Sequence, residues 1–227
     1  MSDSHIVKVS FGIFTPEEGF DMDDAIAHVT KVAAEIEQSS NINVAILKCL
    51  HHSWVAVFAV EAKTVHESAT INLPQAAAFT RGLNCPVRIL ESGWFQQTSQ
   101  QTRKDLPFAQ ISLGDIVSIR SMKCTSWEKQ DTLSYSCLAI LRAYFDRFRG
   151  LISCSFYDSM NGKQIIGIVV WDSIESALFV AKHPESNPAL PYWEQLGAQE
   201  LKYRVYQVVY VTRKDPVQAS SLPSFQI

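Results

Sequence analysis

The sequence predicts an α+β fold in which two β-α-β-β-α-β repeats pack sheet to sheet as a barrel within one chain. Two observations predict this fold. The same order of six elements occurs twice along the 227 residues, and the central strands are apolar without alternation. Since the helices of such a unit cover only one face of its sheet, strands that are apolar on both faces need a second sheet opposite. The second repeat supplies that sheet.

The elements of the first half are identified by their hydrophobic period. A helix from about 23 to 38 places Ile26, Val29, Ala33 and Ile36 on one face, and Asp21 stands where it can cap the helix N-terminus. The full order is a strand at 6–14, this helix, strands at 43–50 and 54–62, a helical segment from about 67 to 82 and a strand at 86–95.

The second half repeats the order of the first. Its elements are a strand at 115–123, a helix at 131–149, strands at 151–157 and 164–171, helical pieces from 174 onward and a strand at 201–212. Glu67-Ser68-Ala69 recurs as Glu175-Ser176-Ala177 at the same place in the order. This arrangement is the split βαβ plan of ferredoxin-like domains. The expected boundaries are a first repeat at 1–97, a polar linker at 98–113, a second repeat at 114–213 and a tail at 214–227.

Composition and charge exclude several classes of protein. The chain has 20 Lys+Arg against 23 Asp+Glu, a formal charge of −3, so it is not expected to bind nucleic acid, which requires many cations. It has no apolar run of the ~20 residues that span a bilayer. The first residues lack the features of a signal peptide. These observations predict a cytoplasmic protein that does not bind membranes.

Cysteine and glycine patterns argue against cofactors. The five cysteines are odd in number and show no CxxC spacing, which argues against a disulfide framework and a zinc site. No GxGxxG, GxxxxGK[ST], GxSxG or HExxH motif is present, which weakens the nucleotide-binding, flavin and hydrolase interpretations. We therefore expect a protein without a metal or an organic cofactor.

The second hairpin and the helix after it resemble a known family. The residues that carry the resemblance are Tyr157-Asp158-Ser159-Met160-Asn161-Gly162, the strand 165–170 and Trp171-Asp172-Ser173-Ile174-Glu175-Ser176-Ala177. They are similar to the dimeric α/β-barrel proteins, and most of all to antibiotic biosynthesis monooxygenase (ABM) domains. In that family one domain is usually a subunit, so this chain resembles a fused, tandem form.

The resemblance implies a cofactor-independent monooxygenase with molecular oxygen as co-substrate. Quinone-forming members have an Asn and a Tyr where this chain has Gly167 and Ala177, which puts their substrates in doubt. Related haem-degrading members use a His late in the second helix. Here the residues at 190–193 are Leu-Pro-Tyr-Trp, so haem is not expected.

The candidate site combines polar and aromatic residues of both halves. Trp171 is either a core anchor or a pocket wall that stacks on a flat ligand. Arg120 is a charge in an apolar strand, so it either anchors an anion or carbonyl or pairs with Glu61 or Asp158. The candidate catalytic residues are Trp171, Arg120, Tyr157, His51 and His52, and the candidate substrate-binding residues are His183, Tyr192, Trp193 and Tyr135.

The leading hypothesis is oxidation of a lipophilic small molecule such as an aromatic polyketide, a phenol or an oxylipin. Two alternatives remain open: a polyketide cyclase or isomerase that uses the same pocket, and a stress-type barrel protein that binds a ligand without turnover. The expected partners are the small lipophilic substrate and, as an open alternative, a second copy of the chain in a homodimer.

Overall fold

A computed structural model describes residues 7–40, 42–61, 74–83, 86–103, 109–183, 189–212 and 224–226. The first elements along the chain are β1 (Lys8–Pro16), α1 (Met22–Ser39), β2 (Ile42–Cys49), β3 (Val55–Glu61), α2 (Ala76–Phe79), β4 (Val87–Thr102) and β5 (Gln110–Ser112). The elements that follow are β6 (Ile116–Lys123), α3 (Trp127–Arg147), β7 (Leu151–Ser159), β8 (Gln164–Trp171), α4 (Ile174–Lys182), α5 (Ala189–Gln195), β9 (Gln199–Val211) and β10 (Ser224–Gln226).

Eight strands form a closed antiparallel barrel in the hydrogen-bonded order β1-β3-β2-β9-β6-β8-β7-β4. Strands β5 and β10 form a separate two-stranded sheet. The predicted α+β class with an eight-stranded barrel is confirmed. Its origin from two tandem repeats stays a prediction.

The chain divides into two compact units. Unit 1 comprises 1–96, 111–114 and 208–225, and unit 2 comprises 97–110, 115–207 and 226–227. Strands β4 and β9 therefore each contribute to both units.

Unit 1 packs α1 and α2 on one face of its sheet. The Asp21 carboxylate accepts a hydrogen bond from the backbone N–H of Asp23 at 2.9 Å and caps α1 as predicted. The buried residues on this face come from β1, α1, β2, β3 and α2, and they are Phe14, Val29, Ala33, Ile42, Val44, Ile46, Val55, Val57, Ala59 and Phe79.

The other face of this sheet is also buried. Phe11 of β1 packs against Phe58 of β3 with ring centroids 4.7 Å apart, and against Phe95 of β4 at 5.9 Å. All three rings are at most 1% exposed. Burial on both faces explains why 55–60 is apolar without alternation.

Unit 2 orders its strands β9-β6-β8-β7-β4. Arg120 of β6 lies opposite Gly167 of β8 and Tyr203 of β9, and Gly167 lies opposite Phe156 of β7. Successive strand residues point to opposite faces. These four residues therefore share one face, which α3, α4 and α5 cover; we call it the helix side.

Three elements differ from their predicted bounds. Helix α3 begins at Trp127 rather than 131, because the Ser126 hydroxyl accepts a hydrogen bond from the backbone N–H of Lys129 and caps the helix earlier. Helix α2 is a single turn, Ala76–Phe79; 80–82, predicted as helix, form a turn, and 67–73 lie outside the described residues. Strand β4 continues to Thr102, so the first part of the segment predicted as a linker is strand.

Two further findings bear on the classes considered above. Within the described ranges, no helix is long and apolar enough to span a membrane. The four cysteines described there, Cys49, Cys124, Cys137 and Cys154, are free and buried.

Close packing of α2 on β1 provides a test of the fold of unit 1. A Cβ atom at Gly12 would lie 2.1 Å from the Cβ atom of Ala76. We expect Gly12→Ala to lower the free energy of unfolding by about 1–3 kcal/mol, measured by urea denaturation. Ala76→Gly alone should cost about 1 kcal/mol in helix propensity. Together the two changes should cost less than the sum of their separate effects. Strict additivity would contradict this contact.

Candidate functional site

A pocket lies on the helix side of unit 2, between the sheet and helices α3 and α5. Its wall is largely apolar and includes one cation, and its lining residues are Arg120, Cys137, Ile140, Phe148, Leu151, Phe156, Val169, Trp171 and Trp193. The enclosed free volume is about 10 Å³, which holds one water molecule at most. In this conformation the pocket is closed around its side chains.

Arg120 brings a positive charge into this apolar wall. Its guanidinium carbon lies 5.2 Å from the ring centroid of Tyr203 and 5.8 Å from that of Trp193. Both distances are within the range of cation–π attraction. The buried Nε–H of Arg120 has no hydrogen-bond acceptor. In the part of the chain that the structure describes, no carboxylate forms an ion pair with it. The predicted pairing with Asp158 is not formed, and the Glu61 side chain lies outside the described atoms.

Trp193 supplies a second buried donor. This residue of α5 is 2% exposed, and its indole Nε1–H has no acceptor. An unpaired buried donor costs free energy comparable to a lost hydrogen bond. Two unpaired donors, one of them on a cation, thus belong to residues that line one small pocket. Together they favour a ligand that carries acceptor oxygens.

Trp171 is held in place by a hydrogen bond. Its indole Nε1–H donates to the Ser118 hydroxyl oxygen at 2.8 Å, and both residues are at most 3% exposed. Directly after it, Ser173 caps α4 by accepting a hydrogen bond from the backbone N–H of Ser176. The Trp171 ring is therefore both a core anchor and a pocket wall, and its N–H is not free to bind a ligand.

Gly167 leaves room for an aromatic ring. A Cβ atom at this position would lie 2.6 Å from Cε1 of Phe156. The Phe156 ring therefore occupies the place where the resemblance puts a substrate-binding Asn. This packing explains in physical terms why the family's Asn is not accommodated here.

Asp158 lies two residues after Phe156 on β7 and therefore on the helix side. Burial raises the pKa of its carboxyl to about 6, a hydrogen bond from Ser134 opposes the rise, and the charge of Asp131 adds to it. Its Oδ1 atom is buried without a hydrogen-bond partner. A carboxyl that titrates near neutral pH beside a pocket is a candidate for proton transfer.

The thiols of the site do not serve as proton acceptors. Burial raises the pKa of Cys154 to about 12, although the charge of Arg120 lowers it. Burial also raises the pKa of Cys137 far above its usual range, and the nearby Cys154 adds to the rise. Both residues therefore stay protonated at neutral pH and act as apolar packing.

The structure places Tyr157 away from this pocket. Its side chain points to the opposite face of β7 from Phe156 and is fully buried. Burial raises the pKa of its phenol far above the ordinary value. Because Tyr157 is one residue after Phe156 on the strand, its side chain lies on the face away from the pocket.

The other predicted side chains do not line this pocket. His183 stacks on Phe179 at 4.3 Å, and Tyr135 and Tyr192 are 78% and 48% exposed. His51 and His52 belong to the exposed β2–β3 turn of unit 1, where His52 stacks on Trp54 at 4.2 Å. None of the pocket's lining residues is a histidine, so this lining does not fit haem ligation.

The sequence pattern did not point to several residues of the site, and it indicated Asp158 only as a possible partner of Arg120. Phe156, Cys137, Ser118 and Asp158 enter it through strand register and helix packing. The register of β7 was the available signal, because the residues at 154, 156 and 158 must share one face. No group of three or more His, Cys, Asp or Glu in the described ranges could hold a metal ion.

The hydrogen bond between Trp171 and Ser118 can be tested by a double-mutant cycle. We expect Trp171→Phe to keep the fold but to lower the free energy of unfolding by about 1–2 kcal/mol, because the ring shrinks and Ser118 loses its donor. Trp171→Ala should cost about 3–5 kcal/mol. Chemical denaturation of Trp171→Phe, Ser118→Ala and the double variant should show coupling. Zero coupling would contradict the bond.

The Asp158 carboxyl should make stability depend on pH. Its folded pKa of about 6 exceeds the reference value of 3.8, so the folded state binds the proton more tightly than the unfolded state does. The free energy of unfolding should therefore fall as pH rises from about 4 to about 6. Asp158→Asn should remove this fall and gain up to about 2 kcal/mol at neutral pH. Identical pH profiles of the two proteins would contradict the shifted pKa.

Solved structures show what the fold resembles. An anthrone oxidase-like protein aligns with a TM-score of 0.66 at 14% identity over 97% of this chain and 98% of that one. A ferredoxin fold protein from Listeria monocytogenes, related to antibiotic biosynthesis monooxygenases, aligns with a TM-score of 0.51 at 12% identity. The alignment covers 91% of this chain and 96% of that one. A chlorite dismutase variant from Candidatus Nitrospira defluvii aligns with a TM-score of 0.55 at 11% identity. The alignment covers 90% of this chain and 91% of that one.

These likenesses confirm an ABM-like ferredoxin fold, and at such identities they show the fold alone. No curated protein matches the sequence. One family profile, described as "Domain of unknown function (DUF7392)", matches residues 93–206. That stretch is half of the chain and contains every residue that lines the pocket. The chain belongs to the DUF7392 family.

Proposed function

We propose that this protein is a tandem, ABM-like, cofactor-independent monooxygenase that oxidises a small lipophilic molecule bound as an oxyanion. The substrate class is a phenol or an enolisable aromatic ketone of the polyketide type. The observation that carries the proposal is the pair of buried, unpaired donors at an otherwise apolar pocket, Arg120 Nε–H and Trp193 Nε1–H. An aromatic oxyanion satisfies both donors and matches the apolar wall.

The chemistry needs an anion and little water. Arg120 and Trp193 stabilise the substrate oxyanion in a site of low dielectric, where such donors act strongly. The anion gives one electron to dioxygen, and recombination of the two radicals forms a carbon–oxygen bond. Protonation gives a hydroperoxide, and loss of water leaves a carbonyl. The balance is CH₂ + O₂ → C=O + H₂O, so the substrate supplies all electrons and no external reductant is required.

The closed pocket sets a requirement for binding. Its free volume of about 10 Å³ does not hold an aromatic ring, so the ligand displaces side chains when it enters. Phe148 at the end of α3 is half-buried and can rotate without moving the sheet. The strand residues Phe156 and Val169 are at most 3% exposed and form the fixed wall.

The fold supports this class of reaction without choosing the substrate. A protein of the same fold is described as anthrone oxidase-like, and anthrones are enolisable aromatic ketones of the kind that the donor pair suits. A cyclase or isomerase could use the same oxyanion support without oxygen. A binding protein could use it without turnover. Oxygen consumption separates these functions.

Arg120→Met tests the proposal with purified protein, anthrone and a series of phenols in an oxygen electrode. We expect oxygen uptake by the wild type and a loss of kcat of about 10²–10³ in the variant, as for other oxyanion donors. The free energy of unfolding should stay equal or rise, because methionine replaces a half-buried charge without an ion pair in an apolar wall.

Arg88→Met is the matched control, because Arg88 is an exposed residue of β4 and its loss should leave the rate unchanged. Wild-type conversion of a substrate without oxygen uptake would move the assignment to a cyclase or isomerase. Binding without any turnover would indicate a ligand-binding protein. Equal rates for Arg120→Met and wild type would remove Arg120 from the mechanism.

A further inference from the structure

We infer that Asp158 accepts the substrate's proton, directly or through one water, and passes it to solvent along Ser134 and Thr98. This inference rests on the proposed function, and it assigns the acid–base step that the oxyanion chemistry requires. Its basis is the position of Asp158 beside the pocket, its free carboxylate oxygen and a hydrogen-bonded path to the surface.

Asp158 and Ser134 lie beside the pocket. On β7, Asp158 follows the pocket residue Phe156 by two, so both side chains project to the helix side. On α3, Ser134 precedes the pocket residue Cys137 by three, so these two lie on neighbouring turns of one helix face. The Asp158–Ser134 pair therefore lies next to the Phe156–Cys137 part of the pocket wall.

Hydrogen bonds connect this pair to the surface. The Ser134 hydroxyl lies close enough to the Asp158 carboxyl to lower its pKa, and the Ser134 and Thr98 hydroxyl oxygens are 2.9 Å apart. Ser134 is 7% exposed, whereas Thr98 is exposed. The path thus starts at a buried carboxyl and ends in solvent. The buried Oδ1 atom makes no hydrogen bond and can accept a proton from the ligand.

Other charges around Asp158 leave it able to change its protonation state. Asp131 on α3 is the carboxylate that faces it, and its charge favours the protonated form. The thiols of Cys124 and Cys137 sense the charge of Asp158, and burial keeps both protonated at neutral pH. Arg120 makes no ion pair with it among the described residues. The described pocket lining itself contains no carboxylate and no histidine, so Asp158 is the carboxyl beside it.

The proton balance is simple. The O–H bond of a phenol breaks, a new O–H bond forms at Asp158 Oδ1, and the electron pair stays on the phenolate beside Arg120 and Trp193. The proton then moves to solvent through rearrangement of the Ser134 and Thr98 hydroxyls. No oxidant or reductant takes part in this step.

The experiment uses 3-nitrophenol as the probe, because its phenolate and phenol forms have different absorption spectra and it is largely un-ionised in water at neutral pH. Titrations of the full chain in weak buffer with a pH indicator give the phenolate fraction of the bound probe and the protons released. We expect the wild type to bind phenolate and to release about one proton to the medium, because Asp158 passes the proton on to solvent. Asp158→Asn should bind the neutral phenol and release almost no proton.

Asp131→Asn is the matched control, since it removes a neighbouring carboxylate and should behave as wild type. If Asp158→Asn does not fold, Ser134→Ala serves instead. It breaks the path, and stopped-flow absorbance should show phenolate forming at least about tenfold more slowly.

Two results overturn the inference alone: wild-type behaviour of both Asp158→Asn and Ser134→Ala, or the same change in Asp131→Asn as in Asp158→Asn. Failure of the proposed function looks different. There the wild type does not bind the probe, or Arg120→Met binds it as well as wild type.

Discussion

A half-buried positive charge in an apolar wall is the constraint on which the rest of the site depends. On the helix side, the residues that surround Arg120 on the adjacent strands are a glycine, a phenylalanine and a tyrosine. Its guanidinium is stabilised by the rings of Tyr203 and Trp193 and not by a carboxylate. Ring contacts attract a cation without neutralising it. The charge therefore stays available to an anionic ligand, and a hydrophobic isostere would pack there at lower cost.

Strand register decides which side chains surround this charge. On β7, the residues at 154, 156 and 158 face the helices, and the residues at 153, 155 and 157 face the other way. Phe156 fills the space above Gly167, and Asp158 reaches Ser134 of α3. Tyr157, with a chemically attractive hydroxyl, is directed away by the same rule. Residue type alone would have ranked Tyr157 above both neighbours.

Much of the fold, and part of the site, could be predicted from the sequence. Hydrophobic period, apolar runs and local capping residues were sufficient to predict the α+β barrel and the Asp21 cap, because these depend on local pattern. Arg120, Trp171 and Trp193 were found because each departs from its surroundings or forms a motif. Cys137 and Ser118 could not be found this way, since their roles depend on how α3 packs and on which strands pair. Helix α3 begins earlier than predicted because the Ser126 hydroxyl caps it.

Separation of the two charged groups makes the site chemically coherent. Had Arg120 paired with Asp158, as the sequence allowed, the cation would have held the carboxyl ionised and lowered its pKa. The charge of the guanidinium would then have been largely neutralised before a ligand could bind. Because no ion pair joins them in the described structure, burial dominates at Asp158 and raises its pKa towards neutrality. The donors of Arg120 and Trp193 stay unpaired. One group can then accept a proton while the other stabilises the anion that forms, and this division of roles requires that the two do not neutralise each other.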